Sequence, residues 1–235
     1  KEAVEGADVV TSIDKEIQEV AHSELERQLK TQGAKSGCTI VMDVKTGFVK
    51  AIVNLSMGTD GEYYERYNYA IGTKEVPGST FKLASLMAAL EDGKIKITDT
   101  VNAKGKYQFY SSKLKDSYEY GYGRITIQKA FEKSSNVIAE VINRAYRKDP
   151  QMFIDRLVSF GLSEKLGIEL EGEPTPTMYK PGTPNWSGIS LPWMAIGYEV
   201  QQTPLQTLTF YNAIANDGEM VKPQFLREVK EFGDV

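Results

Sequence analysis

A hydroxyl and an amine lie three residues apart in the stretch Pro77-Gly78-Ser79-Thr80-Phe81-Lys82, at the head of the apolar run Leu83 to Leu90. Three residues are about one helical turn, so Ser79 and Lys82 become surface neighbours if the stretch is helical. The run that follows is apolar nearly all round, as in a helix at the centre of a domain. A lysine at the start of such a helix is desolvated and repelled by the positive helix end, and both effects favour the free amine. A free amine beside a serine hydroxyl is a general base beside a nucleophile. A plainer use of Ser79 also fits: after Pro-Gly it can cap the helix start. Lys82 does not suit that use, because a capping box puts Glu or Gln three residues after the cap.

A second polar cluster sits where two helices meet. Thr126 starts a helix through Ile127, Ala130 and Phe131, which breaks at Ser134-Ser135-Asn136 and resumes from Val137 to Tyr146. Serine and asparagine are favoured at such breaks as caps, and they equally supply a hydroxyl and an amide for chemistry.

The remaining elements form the frame. Residues 1–11 are polar and read as a mobile start. Asp14 caps a helix over Lys15 to Lys30, with Ile17, Val20, Ala21, Leu25 and Leu29 on one face. Cys38 to Val44 and Phe48 to Leu55 read as a hairpin turning at Lys45-Thr46-Gly47, and residues 56–76 as a loop. Gly93 ends the Lys82 helix. Residues 94–123 carry Tyr107, Tyr110, Tyr118, Tyr120 and Tyr122, either a rim that grips a peptide or glycan, or a surface hairpin. Asp149-Pro150 opens a helix to Phe160, and Pro174 to Gly188 is a long loop. Trp186, near the end of that loop, and Trp193, just after it, line a cleft or pack in the core. Thr203-Pro204-Leu205-Gln206 is a complete capping box that starts a helix to about Ala215.

With 235 residues, 41% hydrophobic, 26% charged and a net charge of −4, the chain builds one substantial core, or a domain with a lobe. No Lys/Arg stripe interleaved with aromatics points to nucleic acid. The single cysteine, Cys38, excludes an internal disulfide. His22 has no second ligand at metal-binding spacing, so it reads as a surface residue and no metal is expected. No apolar run reaches membrane-spanning length, and no signal peptide is visible.

Pro77 to Lys82 resembles the first active-site motif of the penicillin-binding proteins, in particular the class B peptidoglycan D,D-transpeptidases of the division and elongation type. Ser134-Ser135-Asn136 resembles their Ser-x-Asn motif. The likeness runs from about Val10 to Pro223. It implies an α/β (α+β) fold like that of the penicillin-binding proteins and serine β-lactamases. The resemblance implies one transpeptidase domain over 1–235, with an antiparallel sheet flanked by helices and an all-helical lobe, mostly helix and loop over 94–190. Lys45-Thr46-Gly47 spells the family's third motif, but it precedes the nucleophile and sits at a turn, so it is read as a turn. The true third motif is expected beyond Val235. The sheet is therefore expected to be incomplete, the activity impaired and the hairpin edge open to association. Where relatives often carry a Gly-x-Gly turn, this chain has Gly197-Tyr198-Glu199.

The resemblance implies that Ser79 attacks the penultimate D-Ala carbonyl of a stem peptide with Lys82 as base. Ser134 would relay a proton, and Asn136 would bind a substrate amide and hold the lysine. No cofactor is implied. The implied partners are peptidoglycan stem peptides, β-lactam antibiotics and a membrane glycosyltransferase, and the implied location is periplasmic, on a parent anchored in the inner membrane. Two alternatives remain: a penicillin-recognising hydrolase or sensor, for which no Glu matches a deacylating base by motif, and a non-catalytic cell-wall binding module.

Overall fold

The structure is a computed structural model that describes residues 6–230. Its chain sorts into two units, one formed by Lys1–Lys74, Lys165–Pro174 and Thr203–Val235, the other by Glu75–Glu164 and Thr175–Gln202.

In the first unit, β1 (Asp8–Thr11) is followed by α1 (Lys15–Gln32), β2 (Ser36–Met42), β3 (Val49–Met57), β4 (Tyr63–Glu65) and α2 (Tyr69–Gly72). Asp14 accepts the Glu16 and Ile17 amides and starts α1 as expected, while Gly33 ends it. The expectation of a mobile start is corrected at residues 8–11. There β1 pairs antiparallel with β11 (Leu226–Lys230), Val9 opposite Val229, while residues 1–5 lie outside the described residues. Side chains alternate across a strand, so Ala51, Val53 and Leu55 of β3 face Ala21, Leu25 and Leu29 of α1. Between Val41 and Met42 the register shifts: Val41 opposes Ala51 and Met42 opposes Val49. Lys50 is the extra residue, and this bulge moves Val49 into the other cluster, with Ile40, Ile52, Ile71, Leu205 and Phe225.

The Lys45-Thr46-Gly47 stretch is a turn. The Asp43 carboxylate accepts the Lys45 and Thr46 amides and the Thr46 hydroxyl at 3.1, 2.8 and 2.7 Å. Gly47 has φ +74°, and a Cβ there would lie 2.3 Å from the Lys222 carbonyl oxygen. The loop expected over 56–76 is instead partly ordered as β4 and α2. Since β4 pairs with β3 only at Leu55, Ser56 and Met57, the three-stranded order is β2-β3-β4, with β2 and β4 as its outer strands. Helix α8 (Pro204–Ala215) begins with the expected capping box. Gln206 also donates to Glu173 at 3.0 Å, whose carboxylate accepts the Leu166 and Gly167 amides.

The second unit opens with a 3-10 turn, Gly78–Phe81, that runs into α3 (Lys82–Glu91). Next come β5 (Thr100–Ala103), β6 (Lys106–Phe109), β7 (Ser112–Lys115), β8 (Gly123–Thr126), α4 (Ile127–Glu132), α5 (Val137–Tyr146) and α6 (Pro150–Ser159). Short strands β9 (Thr177–Met178) and β10 (Val200–Gln201) pair around α7 (Ser190–Met194). The lobe expected to be all-helical thus also carries strands, β5 with β8 and β6 with β7. The reason is period-2 burial: Val101 and Ala103, then Tyr107 and Phe109, are buried while their neighbours are exposed. Tyr107 therefore leaves the group of surface tyrosines, in which Tyr110, Tyr118 and Tyr120 remain. Trp193 stands edge-on to Phe109 at 5.8 Å, a packing role.

Helix α3 packs on α5 and α6, which bury Ile138, Ile142, Phe153, Ile154 and Leu157. At its far end Asp92 accepts from Tyr146 Oη at 2.7 Å and from Arg156 Nη2 at 2.6 Å. Phe153 is fully buried with its ring 5.1 Å from that of Tyr146. Phe153→Ala should cost about 3–5 kcal/mol and Thr203→Ala about 1 kcal/mol, read by urea unfolding. Equal losses would mean that the α3–α5–α6 contact is loosely packed.

Candidate active site

Ser79 lies exposed in the 3-10 turn, one turn ahead of Lys82, whose backbone N–H donates to the Ser79 carbonyl. Neither the turn nor α3 has a side-chain cap, so capping is not what Ser79 does here. Lys82, by contrast, is only 1% exposed. Its Nζ donates to the Ser134 carbonyl at 2.6 Å and to Ser134 Oγ at 3.2 Å. Burial pushes the amine from 10.5 down to about 8, opposed by the negative charge of Asp116. The amine rests on Ser134 and makes no hydrogen bond to Ser79. Catalytic hydrogen bonds commonly tighten only in the complex with substrate.

The Ser134-Ser135-Asn136 turn is delivered by two helices. Thr126 caps α4 by accepting the Lys129 amide, and the amides of Ser134 and Ser135 close onto Phe131 and Ala130 carbonyls at 2.8 and 2.9 Å. Ser134 then turns the chain at φ +50°. Asn136 precedes α5 without capping it by its side chain. Its Nδ2 donates to the Lys115 carbonyl at 2.8 Å, so the lysine-holding role expected of Asn136 is not seen: that amide is committed to the end of β7. The structure thus brings Lys82 and Ser134 together, with Ser79 one turn away and Asn136 tied to β7.

Sequence reasoning missed Asp116. It is buried, and its Oδ2 accepts from Ser135 Oγ at 2.7 Å and from Tyr107 Oη at 3.3 Å, while Oδ1 accepts the Asn136 amide at 2.5 Å. Ser135 is itself fully buried, and Tyr107 Oη lies 3.2 Å from its Oγ. Asp116 follows β7 in irregular chain twenty residues before Asn136, where no periodicity marks it.

Just before Ser79 the backbone is pressed from outside. Gly78 N–H donates to the Gly197 carbonyl at 3.2 Å, and a Cβ on Gly197 (φ +86°) would fall 2.0 Å from the Gly78 oxygen. Gly197 is therefore a glycine by contact as well as by conformation. Two residues on, Glu199 takes φ +65°, a left-handed conformation in which a glycine would be unstrained. Its carboxyl, pushed up by burial, accepts from Ser190 Oγ at 3.3 Å.

The site thus holds a buried amine one turn from an exposed hydroxyl, on a framework of helices and antiparallel strands. Residues 37–234 match the family model for the penicillin binding protein transpeptidase domain, and the chain belongs to that family. Its curated relatives include the penicillin-binding protein PbpB of Mycobacterium tuberculosis, 30% identical over 96% of this chain and 33% of the relative. The peptidoglycan D,D-transpeptidase FtsI of Escherichia coli is 30% identical over 88% of this chain and 35% of that protein. The chain thus spans about a third of the length of these relatives. Among solved structures, penicillin-binding protein 3 of M. tuberculosis complexed with aztreonam is 28% identical, with a TM-score of 0.81 over 97% of this chain and 52% of that one. Among the described residues no helix is long and apolar enough to cross a membrane.

Lys82 carries a stability cost whose pH dependence has a definite sign. With 10.5 in the unfolded chain and about 8 in the folded one, the unfolded state binds more protons between those values, so stability rises with pH across that window. Below pH 8 the full penalty, about 3 kcal/mol, is present. Lys82→Met should therefore be more stable than the parent at pH 7, by an amount that shrinks as pH approaches 10.5. Urea titrations at pH 7 and pH 10 check this, and a pH-independent difference would mean that the amine is not desolvated.

Proposed function

We propose that the chain carries the serine acyl-transfer chemistry of a peptidoglycan D,D-transpeptidase, and that β-lactams acylate the same serine. The observation that carries this reading is the buried, weakly basic amine of Lys82 one turn from an exposed hydroxyl. An incidental surface cation would keep its hydration, which argues against a purely cell-wall-binding module.

In the proposed step Lys82 Nζ takes the Ser79 hydroxyl proton as Oγ bonds to the penultimate D-Ala carbonyl carbon. The carbon–nitrogen bond to the terminal D-Ala breaks, and the proton passes from Lys82, by way of the Ser134 hydroxyl, to the leaving amine. An amine of a second stem peptide then displaces Ser79 and leaves a cross-link. Asn136 Nδ2 is held by Lys115, which leaves Oδ1 to receive a substrate N–H. Serine and lysine supply nucleophile and base, so the reading calls for no cofactor. The parent would act outside the cytoplasmic membrane, from an inner-membrane anchor and beside a glycosyltransferase, as an element of wall growth or division.

Mass spectrometry of the full-length protein after exposure to a penicillin tests this. A stable adduct that disappears in Ser79→Ala is expected, whereas equal labelling of that variant would overturn the assignment. Lys82→Met should acylate about 10²–10⁴-fold more slowly. Because the free amine is the active form, acylation should climb with pH and level off above about 8. Rapid loss of the adduct with release of hydrolysed drug would instead mark a hydrolase.

A further inference from the structure

The Ser134-Ser135-Asn136 turn is gripped from beneath by one carboxylate. Asp116 accepts the Ser135 hydroxyl and the Asn136 amide on its two oxygens, and Tyr107 Oη adds a third donor. The Ser135 oxygen in turn accepts the Val137 amide that opens α5. These bonds fix the two peptide units after Ser134, and so fix where its carbonyl and hydroxyl meet Lys82 Nζ. Asp116 makes no ion pair with Lys82; its charge is felt across the turn and works against the desolvation of the amine.

We propose that Asp116 is a positioning residue for the acyl-transfer reaction: by gripping Ser135 and Asn136 it holds the Ser134 carbonyl and hydroxyl on Lys82 Nζ. This rests on the reading of Lys82 as the base. The Asp116 charge also opposes, in part, the burial that frees the amine. Without a negative neighbour a buried lysine would lose its proton more readily, and it could then not easily hold one for the leaving group. With the carboxylate behind the turn, the amine both takes and returns the proton near neutrality.

Other charges around α3 are engaged elsewhere. On α5 Glu140 faces Lys104 at 3.8 Å, and on α6 Arg156 binds Asp92 at the far end of α3. Lys115 pairs with Glu119, and Lys133 lies over the Tyr122 ring. Tyr107, the titratable group touching Asp116, is pushed up by burial and stays a neutral donor.

The test follows the amine itself. With lysine labelled by carbon-13 at Cε, the Lys82 signal is identified by its absence in Lys82→Arg, and its titration is recorded in the full-length protein. Asp116→Asn should move that titration to lower pH, and should move the acid limb of penicillin acylation with it. Ser135→Ala removes a hydrogen bond but keeps the charge. It should leave the Lys82 titration in place and slow acylation by roughly 10- to 100-fold through misplacement of Ser134. A Lys82 titration unchanged in folded Asp116→Asn would overturn the electrostatic part, and undiminished acylation by Ser135→Ala would overturn the positioning part. If Asp116→Asn does not fold, Tyr107→Phe joins Ser135→Ala, and the proposal falls if both acylate at the parent rate. Failure of the parent to be acylated at all would instead refute the proposed function, while the lysine titration would still report on Asp116.

Discussion

An ammonium group taken out of water has to be answered by oxygen, and here the answer is the Ser134 carbonyl, 2.6 Å from Lys82 Nζ. α3, α5, α6 and Asp116 of the second unit surround that contact. α3 is apolar on nearly every side, so it sits against α5 and α6 and carries the lysine inward with it. The break between α4 and α5 exists at a point where one residue, Ser134, can turn both its carbonyl and its hydroxyl to the same nitrogen. The burial that frees the amine of its proton also costs stability, which the Ser134 oxygens offset only while the turn stays in place. The state of the amine and the local order of the turn therefore depend on the same few bonds.

Much of this was legible in the residues. Caps announced themselves where the partners are local: Asp14, Thr126, Asp149 and the Thr203–Gln206 box each bond amides two or three residues away. The desolvated lysine was legible because the run behind it is unmistakably apolar. The turn at Lys45 to Gly47 could be separated from a catalytic motif by its place in the chain, and Asp43 supplies the reason it turns. What could not be read were contacts made by irregular chain. β1 needed a partner some two hundred residues away in β11. β4 and α2 hid in a stretch without periodicity. Asp116 looked like any acidic residue in a polar loop, because its meaning comes from Ser135 and Asn136, which the fold brings to it.

The site thus has two kinds of support. Helices set the coarse position of Ser79 and Lys82 through burial, which tolerates exchange among apolar residues of like size. Fine position comes from single atoms: the Gly197 carbonyl on the Gly78 amide, and the Asp116 oxygens beneath the turn. The second kind has few substitutes. The departure at Glu199 illustrates the difference: it adopts a left-handed backbone where a glycine would be easier, whereas Gly197 has a neighbouring carbonyl where a side chain would have to go.

The left-handed backbone of Ser134 has an evolutionary corollary. Glycine and asparagine visit that conformation most readily, and a serine there gives up on the order of 1 kcal/mol. Glycine would erase the hydroxyl that meets Lys82 Nζ at 3.2 Å, so the less comfortable residue keeps a contact that the easier one would lose. A descendant that kept the architecture but no longer needed the contact with Lys82 should drift at this position early, while buried Ser135, bonded to Asp116, would persist.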